Sequence, residues 1–108
     1  MIVARSQRNL YDHAVRTAGI RFVEVGLPDR YAGAGLRDAE AWEIADAISD
    51  RTAGVFYVAD RFARPRLSEV IAIAHAAGLP VIVDAAAQLP PQVNLRRFIE
   101  EGADLVAF

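Results

Sequence analysis

The chain lacks cysteine and lysine altogether; all twelve of its basic residues are arginine. Without cysteine there is no disulfide, no thiolate metal site and no thiol nucleophile. Without lysine there is no side-chain amine, so Schiff-base chemistry cannot be completed within these 108 residues. Long apolar runs are missing too. No stretch approaches the roughly eighteen residues of a membrane-spanning helix, and no basic-then-apolar leader opens the chain. The expectation is a cytoplasmic protein with no membrane partner. A formal net charge of −2, with arginines and acids interspersed, leaves no basic stripe for a nucleic-acid backbone, so nucleic acid is not an expected partner. What the chain does have is apolar residues, 54% of the total and enough for the core of about one domain.

The most informative stretch is Pro80-Val81-Ile82-Val83-Asp84-Ala85-Ala86-Ala87-Gln88-Leu89-Pro90-Pro91. A short apolar run that ends in a carboxylate reads as a buried parallel strand delivering an acid to a sheet edge. Ligands of open α/β sheets gather outside the carboxyl ends of the strands, which makes Asp84 the first functional candidate. From the residues alone two roles stay open. The carboxylate can bond a loop amide or cap the next helix, or it can meet a flat ligand, for which the small alanines after it leave room.

Upstream, Leu10, Ala14, Val15 and Ala18 predict a helix with those residues inward and Asp12, His13 and Arg16 outward, closed by Gly19. Ile20 to Val25 reads as a strand, and Gly26 to Arg37, with Pro28, Gly33 and Gly35, as a loop. Asp38 is the expected N-cap of a helix to about Ile48, with Trp42, Ile44, Ala45 and Ile48 as its buried stripe. Thr52 to Val58 reads as a strand covered on both faces. The arginine-rich, proline-containing loop Asp60 to Arg66 leads to a helix from about Leu67 to Ala77, with Val70, Ile71 and Ala74 inward and Gly78 closing it. Beyond Asp84, Asn94 is expected to cap a short helix ending near Gly102, before a last strand at Leu105. The alternation of strands and helices predicts an α/β fold, a mostly parallel sheet with helices on both faces. Both ends lie in apolar runs, so the chain reads as an internal fragment of a longer protein.

Other candidates are weaker. His13 and His75 fall on predicted helices without a second histidine at ligand spacing, so no metal site is expected. Arg64 and Arg66 flank Pro65 and could hold a phosphate or carboxylate, but a solvated loop is the preferred reading. Gly33 and Gly35 make no phosphate-binding fingerprint, because no helix follows a strand there.

Taken together, Val81 to Pro91, Asn94-Leu95-Arg96-Arg97-Phe98, Gly102 to Phe108, and upstream Arg8-Asn9-Leu10-Tyr11-Asp12-His13-Ala14 with Ala18 to Gly26 resemble fold-type-I pyridoxal-phosphate enzymes. The similarity is to the large domain of the selenocysteine synthase (L-seryl-tRNA selenium transferase) and D-glucosaminate-6-phosphate ammonia-lyase-like branch. It covers nearly the whole chain and implies that residues 1–108 are a fragment of the pyridoxal-phosphate-binding domain of the aspartate-aminotransferase-like architecture. The resemblance implies a pyridoxal 5'-phosphate cofactor whose ring nitrogen pairs with Asp84. Ala86 would pack on the ring, Gln88 would make polar contacts, and Gln7 would stand where relatives place a residue over the ring. It further implies an amino-acid-like or amino sugar acid substrate, β-elimination or selenium transfer, and a homo-oligomer. The family's glycine-rich phosphate loop and its cofactor-holding lysine are not among these residues. Leu27-Pro28-Asp29-Arg30 keeps only the arginine of the Thr-Thr-Asn-Arg-Thr-like segment of selenocysteine synthases, which favours the ammonia-lyase side. Two alternatives are a non-catalytic α/β binding or assembly module, and half of a (β/α) barrel aldolase-type enzyme, for which Gly102-Ala103-Asp104-Leu105-Val106 is a familiar phrase.

Overall fold

The computed structural model describes residues 1–27 and 38–108. Five strands, β1 (Ile2–Ala4), β2 (Val23–Val25), β3 (Val55–Val58), β4 (Val81–Asp84) and β5 (Leu105–Ala107), alternate with four helices, α1 (Asp12–Thr17), α2 (Ala41–Asp46), α3 (Leu67–Ala76) and α4 (Asn94–Glu100). A 3-10 turn over Arg5–Gln7 follows β1. The loop expected over Gly26 to Arg37, with Arg30, Gly33 and Gly35, lies for the most part outside the described residues.

The strands form one sheet in the order β2-β1-β3-β4-β5, and every neighbouring pair is parallel. That order reverses direction between β1 and β3. Barrel strands pair sequentially, so the half-barrel alternative is excluded. Right-handed crossovers send α1 to one face of the sheet and α2, α3 and α4 to the other.

The main core lies on the three-helix face. Ile2, Ala4, Val55, Tyr57, Val81 and Val83 point from the strands into a cluster with Ile44, Val70, Ile71, Ala74 and Phe98. Alternate residues point the other way: Phe56 is buried there with its ring 5.7 Å from that of Phe22, and Ile82 and Asp84 are half-buried. Strand side chains alternate between faces, so Asp84 shares a face with Val58, its register partner on β3.

Several local expectations change. Helix α1 is turned over: Leu10 is 93% exposed and Asp12 only 6%. The cause is electrostatic. Arg8 donates to both Asp12 and Glu24, and Arg5 lies 3.2 Å from Glu24, so the ion pairs that tie α1 to β1 and β2 occupy its inward side. A six-residue helix has one side to bury, and here charge complementarity decides which.

Helix α2 starts at Ala41 with Glu40, not Asp38, in the cap position, because the Glu43 carboxylate reaches back to accept from the Glu40 amide at 2.8 Å. Trp42 is 60% exposed, not core, and its indole Nε1 donates to Glu40 Oε2 at 2.8 Å. Asn94 is the first residue of α4 and does not cap it; buried, it donates from Nδ2 to the Gln88 carbonyl at 2.7 Å. No described helix is long and apolar enough to cross a membrane.

The amino-terminal edge of the sheet is fastened by Asp104. Its Oδ2 accepts from the Val81 amide at 2.8 Å and meets His75 Nε2 at 3.0 Å, joining the end of α3 to the starts of β4 and β5. The hydrogen bond with His75, then that with Val81, holds the carboxyl below its ordinary value. A depressed folded pKa contributes stability that is present above about pH 4, the unfolded Asp value, and is lost as pH falls through the folded value. Urea unfolding followed across the acid range should show this decline, and Asp104→Asn should flatten that part of the curve. An unaltered acid limb in the variant would mean that Asp104 does not carry it.

Candidate functional site

The carboxyl edge of the sheet brings together the candidates from β1, β3 and β4. Asp84 is the last residue of β4, where a run of backbone pairing ends and the chain turns away. Its Oδ1 accepts from the Ala86 amide at 3.1 Å, a side-chain turn that fixes the carboxylate against its own loop. Among the described residues, Oδ2 has no hydrogen-bond partner. Ala86 and Ala87 are exposed and small, so nothing of their own side chains covers the acid.

Gln7 reaches the same edge from β1. Its Oε1 accepts from the Val58 amide at 2.9 Å, where the main chain of β1 no longer runs alongside β3. A side chain thus completes the ladder at the point where the strand order reverses, the position at which open α/β sheets bind ligands. Gln7 is 8% exposed, and its Nε2 is buried without a hydrogen-bond partner among the described residues. An amide donor held out of water without an acceptor costs about 1–3 kcal/mol, which a ligand acceptor would recover. The adjoining cavity has a volume of about 380 Å3 and is lined by Gln7, Asn9, Val58, Asp60 and Phe62 among others. Since Val58 is paired in register with Asp84 and hydrogen-bonded to Gln7, both sequence-chosen polar residues flank the end of β3.

Gln88 is differently occupied. Its Nε2 donates to the Ala59 carbonyl at 2.8 Å, its amide to Ala85 at 2.9 Å, and its own carbonyl accepts from Asn94. It therefore braces the loops after β3 and β4 against each other. His13 and Arg16 are exposed on α1, and no group of three or more His, Asp or Glu among the described residues is placed to hold a metal ion.

A second cavity, of about 430 Å3, lies behind the same edge; its lining joins the sequence candidates Arg64, Arg66 and Gln88 to residues the sequence did not mark. Tyr57 lies at its inner end, 5% exposed, with Arg61, Arg64, Arg66 and Arg97 around it. Burial, then the Glu101 carboxylate, pushes the Tyr57 hydroxyl up to about 12. It is therefore a protonated donor at neutral pH. A strand position in an apolar run gave Tyr57 the look of a core residue; the only sequence signal was the arginine density of the following loop.

No protein-family model matches the chain. Curated proteins do. The chain is 32% identical over 99 residues to D-glucosaminate-6-phosphate ammonia lyase of Salmonella typhimurium, an alignment covering 88% of this chain and 24% of that enzyme. It is 34% identical over 99 residues to 5'-C-glycyluridine monooxygenase-decarboxylase of a Streptomyces species, covering 87% of this chain and 22% of the relative. Among solved structures, one of D-glucosaminate-6-phosphate ammonia-lyase superposes with a TM-score of 0.76 at 31% identity, over 97% of this chain and 28% of that one. In sequence and in fold, then, the chain is similar to a segment of a pyridoxal-phosphate-type ammonia lyase, and it spans about a quarter of the length of the curated relatives it matches.

Proposed function

We propose that this chain forms the ring-nitrogen side of a pyridoxal-phosphate site in an ammonia-lyase or related β-eliminating enzyme. The observation that carries the reading is a pair of polar atoms without hydrogen-bond partners among the described residues, Asp84 Oδ2 at the end of β4 and the buried Gln7 Nε2 after β1, on either side of the end of β3. They fit the two demands of a protonated pyridine ring with polar substituents: an anion beside the ring nitrogen, and a donor for an oxygen. Bound there, the cofactor supplies an electron sink for the charge left on a substrate α-carbon when its proton departs, which is what lets a β-substituent leave.

The chain's own residues have narrower tasks. Asp84 keeps a proton on the ring nitrogen by direct ion pairing, and the Ala86 amide holds that carboxylate in place. Ala86 leaves space for the ring. Gln7 fixes the switch point and offers its amide hydrogens. Gln88 sets the spacing of the loops beside them. No side-chain amine and no glycine-rich phosphate loop is among the 108 residues, so these residues bind and orient without completing the chemistry. The same reading carries a small amino-acid-like or amino sugar acid substrate, a homo-oligomeric assembly and a cytoplasmic setting.

A second reading is a non-catalytic α/β binding module, in which the same sheet edge holds a ligand without chemistry. Titration of the purified chain with pyridoxal, and in parallel with pyridoxal 5'-phosphate, separates the two. The side-chain amide signals of Gln7 and the backbone signal of Ala86 should shift saturably with both. Asp84→Asn should weaken binding about tenfold or more, as expected for one charge-assisted hydrogen bond. Equal affinity in wild type and variant would remove Asp84 from the site, and no saturable shift with either probe would favour the module.

A further inference from the structure

The cavity behind the edge does not belong to the Asp84 and Gln7 site. Tyr57 lines it and Val58 lines the cavity beside Gln7; these successive residues of β3 point to opposite faces of the sheet, and the two cavities meet only at the loop residues Asp60 and Ala63. The side-chain bridge from Gln88 to the Ala59 carbonyl runs along the boundary. On the far side the wall is made by the loop between β3 and α3, the first turn of α3, and α4.

We propose that this cavity is a binding site for a phosphate monoester or free phosphate, held by Arg64 and Arg66 with the Tyr57 hydroxyl as an inner donor.

Charge supports it first. The lining contains four arginines, Arg61, Arg64, Arg66 and Arg97, against two acids, Asp60 and Glu101, a positive excess that matches a dianion. The acids are already engaged: Glu101 lies 3.1 Å from Arg97 Nε, and Asp60 Oδ1 accepts from the Phe62 amide at 2.7 Å. Arg61 is stacked over the Phe62 ring, 4.4 Å from its centroid. That leaves Arg64, which makes one long 3.4 Å contact to the Ala63 carbonyl, and Arg66, whose guanidinium has no acidic partner among the described residues. Guanidinium groups present paired N–H donors in a planar fork that suits phosphate oxygens.

The inner wall supplies the second argument. Tyr57 is buried, and it lines the cavity together with Leu67 and Ser68 from the first turn of the ten-residue α3. Its hydroxyl is a rotatable donor at the cavity wall, able to turn its hydrogen toward a bound anion. Ser68 adds a further hydroxyl at the rim. A tetrahedral dianion with several acceptor oxygens satisfies this divergent set of donors better than a planar carboxylate does. At about 430 Å3 the cavity also has room for the small organic group of a monoester.

The test uses inorganic phosphate and glucose 6-phosphate against the purified chain at constant ionic strength, read from the guanidinium Nε and backbone amide signals. Saturable shifts should appear at Arg64, Arg66, Leu67 and Ser68 with phosphate and not with chloride. Arg64→Gln/Arg66→Gln, on an exposed loop, should weaken phosphate about tenfold or more by removing two charge-assisted contacts. Arg16→Gln/Arg51→Gln should leave it unchanged. Tyr57→Phe should weaken phosphate severalfold. Glucose 6-phosphate binding more tightly than phosphate identifies an organic monoester as the ligand; equal binding identifies free phosphate. Linear, chloride-like shifts, or phosphate affinity unchanged in the Arg64/Arg66 variant, would overturn the proposal. Asp84→Asn should not change phosphate affinity, so this site can fail or stand apart from the cofactor site.

Discussion

Gly54→Ala is expected to cost the protein most of its folding stability. Gly54 has φ +153°, and a Cβ built on it meets the Pro80 carbonyl oxygen at 2.7 Å and the Pro80 ring at 3.1 Å. A flexible side chain could swing away from such a contact, but a backbone carbonyl cannot. That oxygen accepts from the Val55 amide at 2.9 Å, the first rung between β3 and β4, while the Gly54 carbonyl accepts from Ile2 at 3.1 Å and ties β3 to β1. Relieving the clash therefore disturbs the central strand on both sides at once. Backbone strain of about 1–3 kcal/mol, with one or two rungs weakened at about 1 kcal/mol each, gives a loss of roughly 3 kcal/mol or more. Urea unfolding should show a midpoint lowered accordingly, or no cooperative transition. A loss under about 1 kcal/mol would mean the β3 entry yields more easily than the contacts imply.

Phe98→Ala should cost about 3–5 kcal/mol, as for other fully buried phenylalanines. Phe98 is 2% exposed, and in α4 only it and Asn94 are buried; Leu95 and Ile99 are each 51% exposed. Seven residues are too few for a helix to persist in water without packing, so the ring is what keeps α4 on the sheet. The Phe98 carbonyl also accepts from Ala103 at 2.9 Å, which positions the turn into β5. The loss should consequently be regional. Amide exchange should rise most in α4 and β5, and least in β1, whose neighbours are β2 and β3. Phe98→Leu should retain a good part of the stability. Uniform exchange across all five strands would show that α4 is not a separable unit.

The elements most legible in the sequence are those whose pattern has one physical solution. β3 and β4 are short apolar runs that a parallel sheet must bury, and α3 has a long enough stripe, Val70, Ile71 and Ala74, to declare its inner side. Short helices are different. In α1 the choice of face rests on Arg8 meeting Glu24, sixteen residues on, and periodicity within six residues carries no trace of it. Asn94 looked like a cap because its residue type caps; its actual acceptor, the Gln88 carbonyl, is supplied by a loop whose path the sequence does not spell out. The candidate site divides in the same way. Asp84 was visible as an acid closing an apolar run, and the strand ends where expected. Gln88 was placed at the right edge but not in its bracing role, since its partner Ala59 lies 29 residues away. Tyr57 was hidden by its own strand, although Arg64 and Arg66, on the next loop, had raised the question of an anion.

An all-parallel sheet has a direction, and here the two edges carry different cargo. Gly54, Pro80, Asp104 and His75 gather where strands begin, and every contact described for them is a fastening. Gln7, Asp84, Gln88 and the arginine cavity gather where strands end. Substitutions can thus be sorted by edge before anything is measured. Changes at strand starts should be felt as tolerance to heat and acid, whereas changes at strand ends can remodel what is recognised while the scaffold stays intact. For anyone attaching a label or grafting a loop, the beginning of a strand is the place to protect architecture and the end of a strand the place to alter recognition.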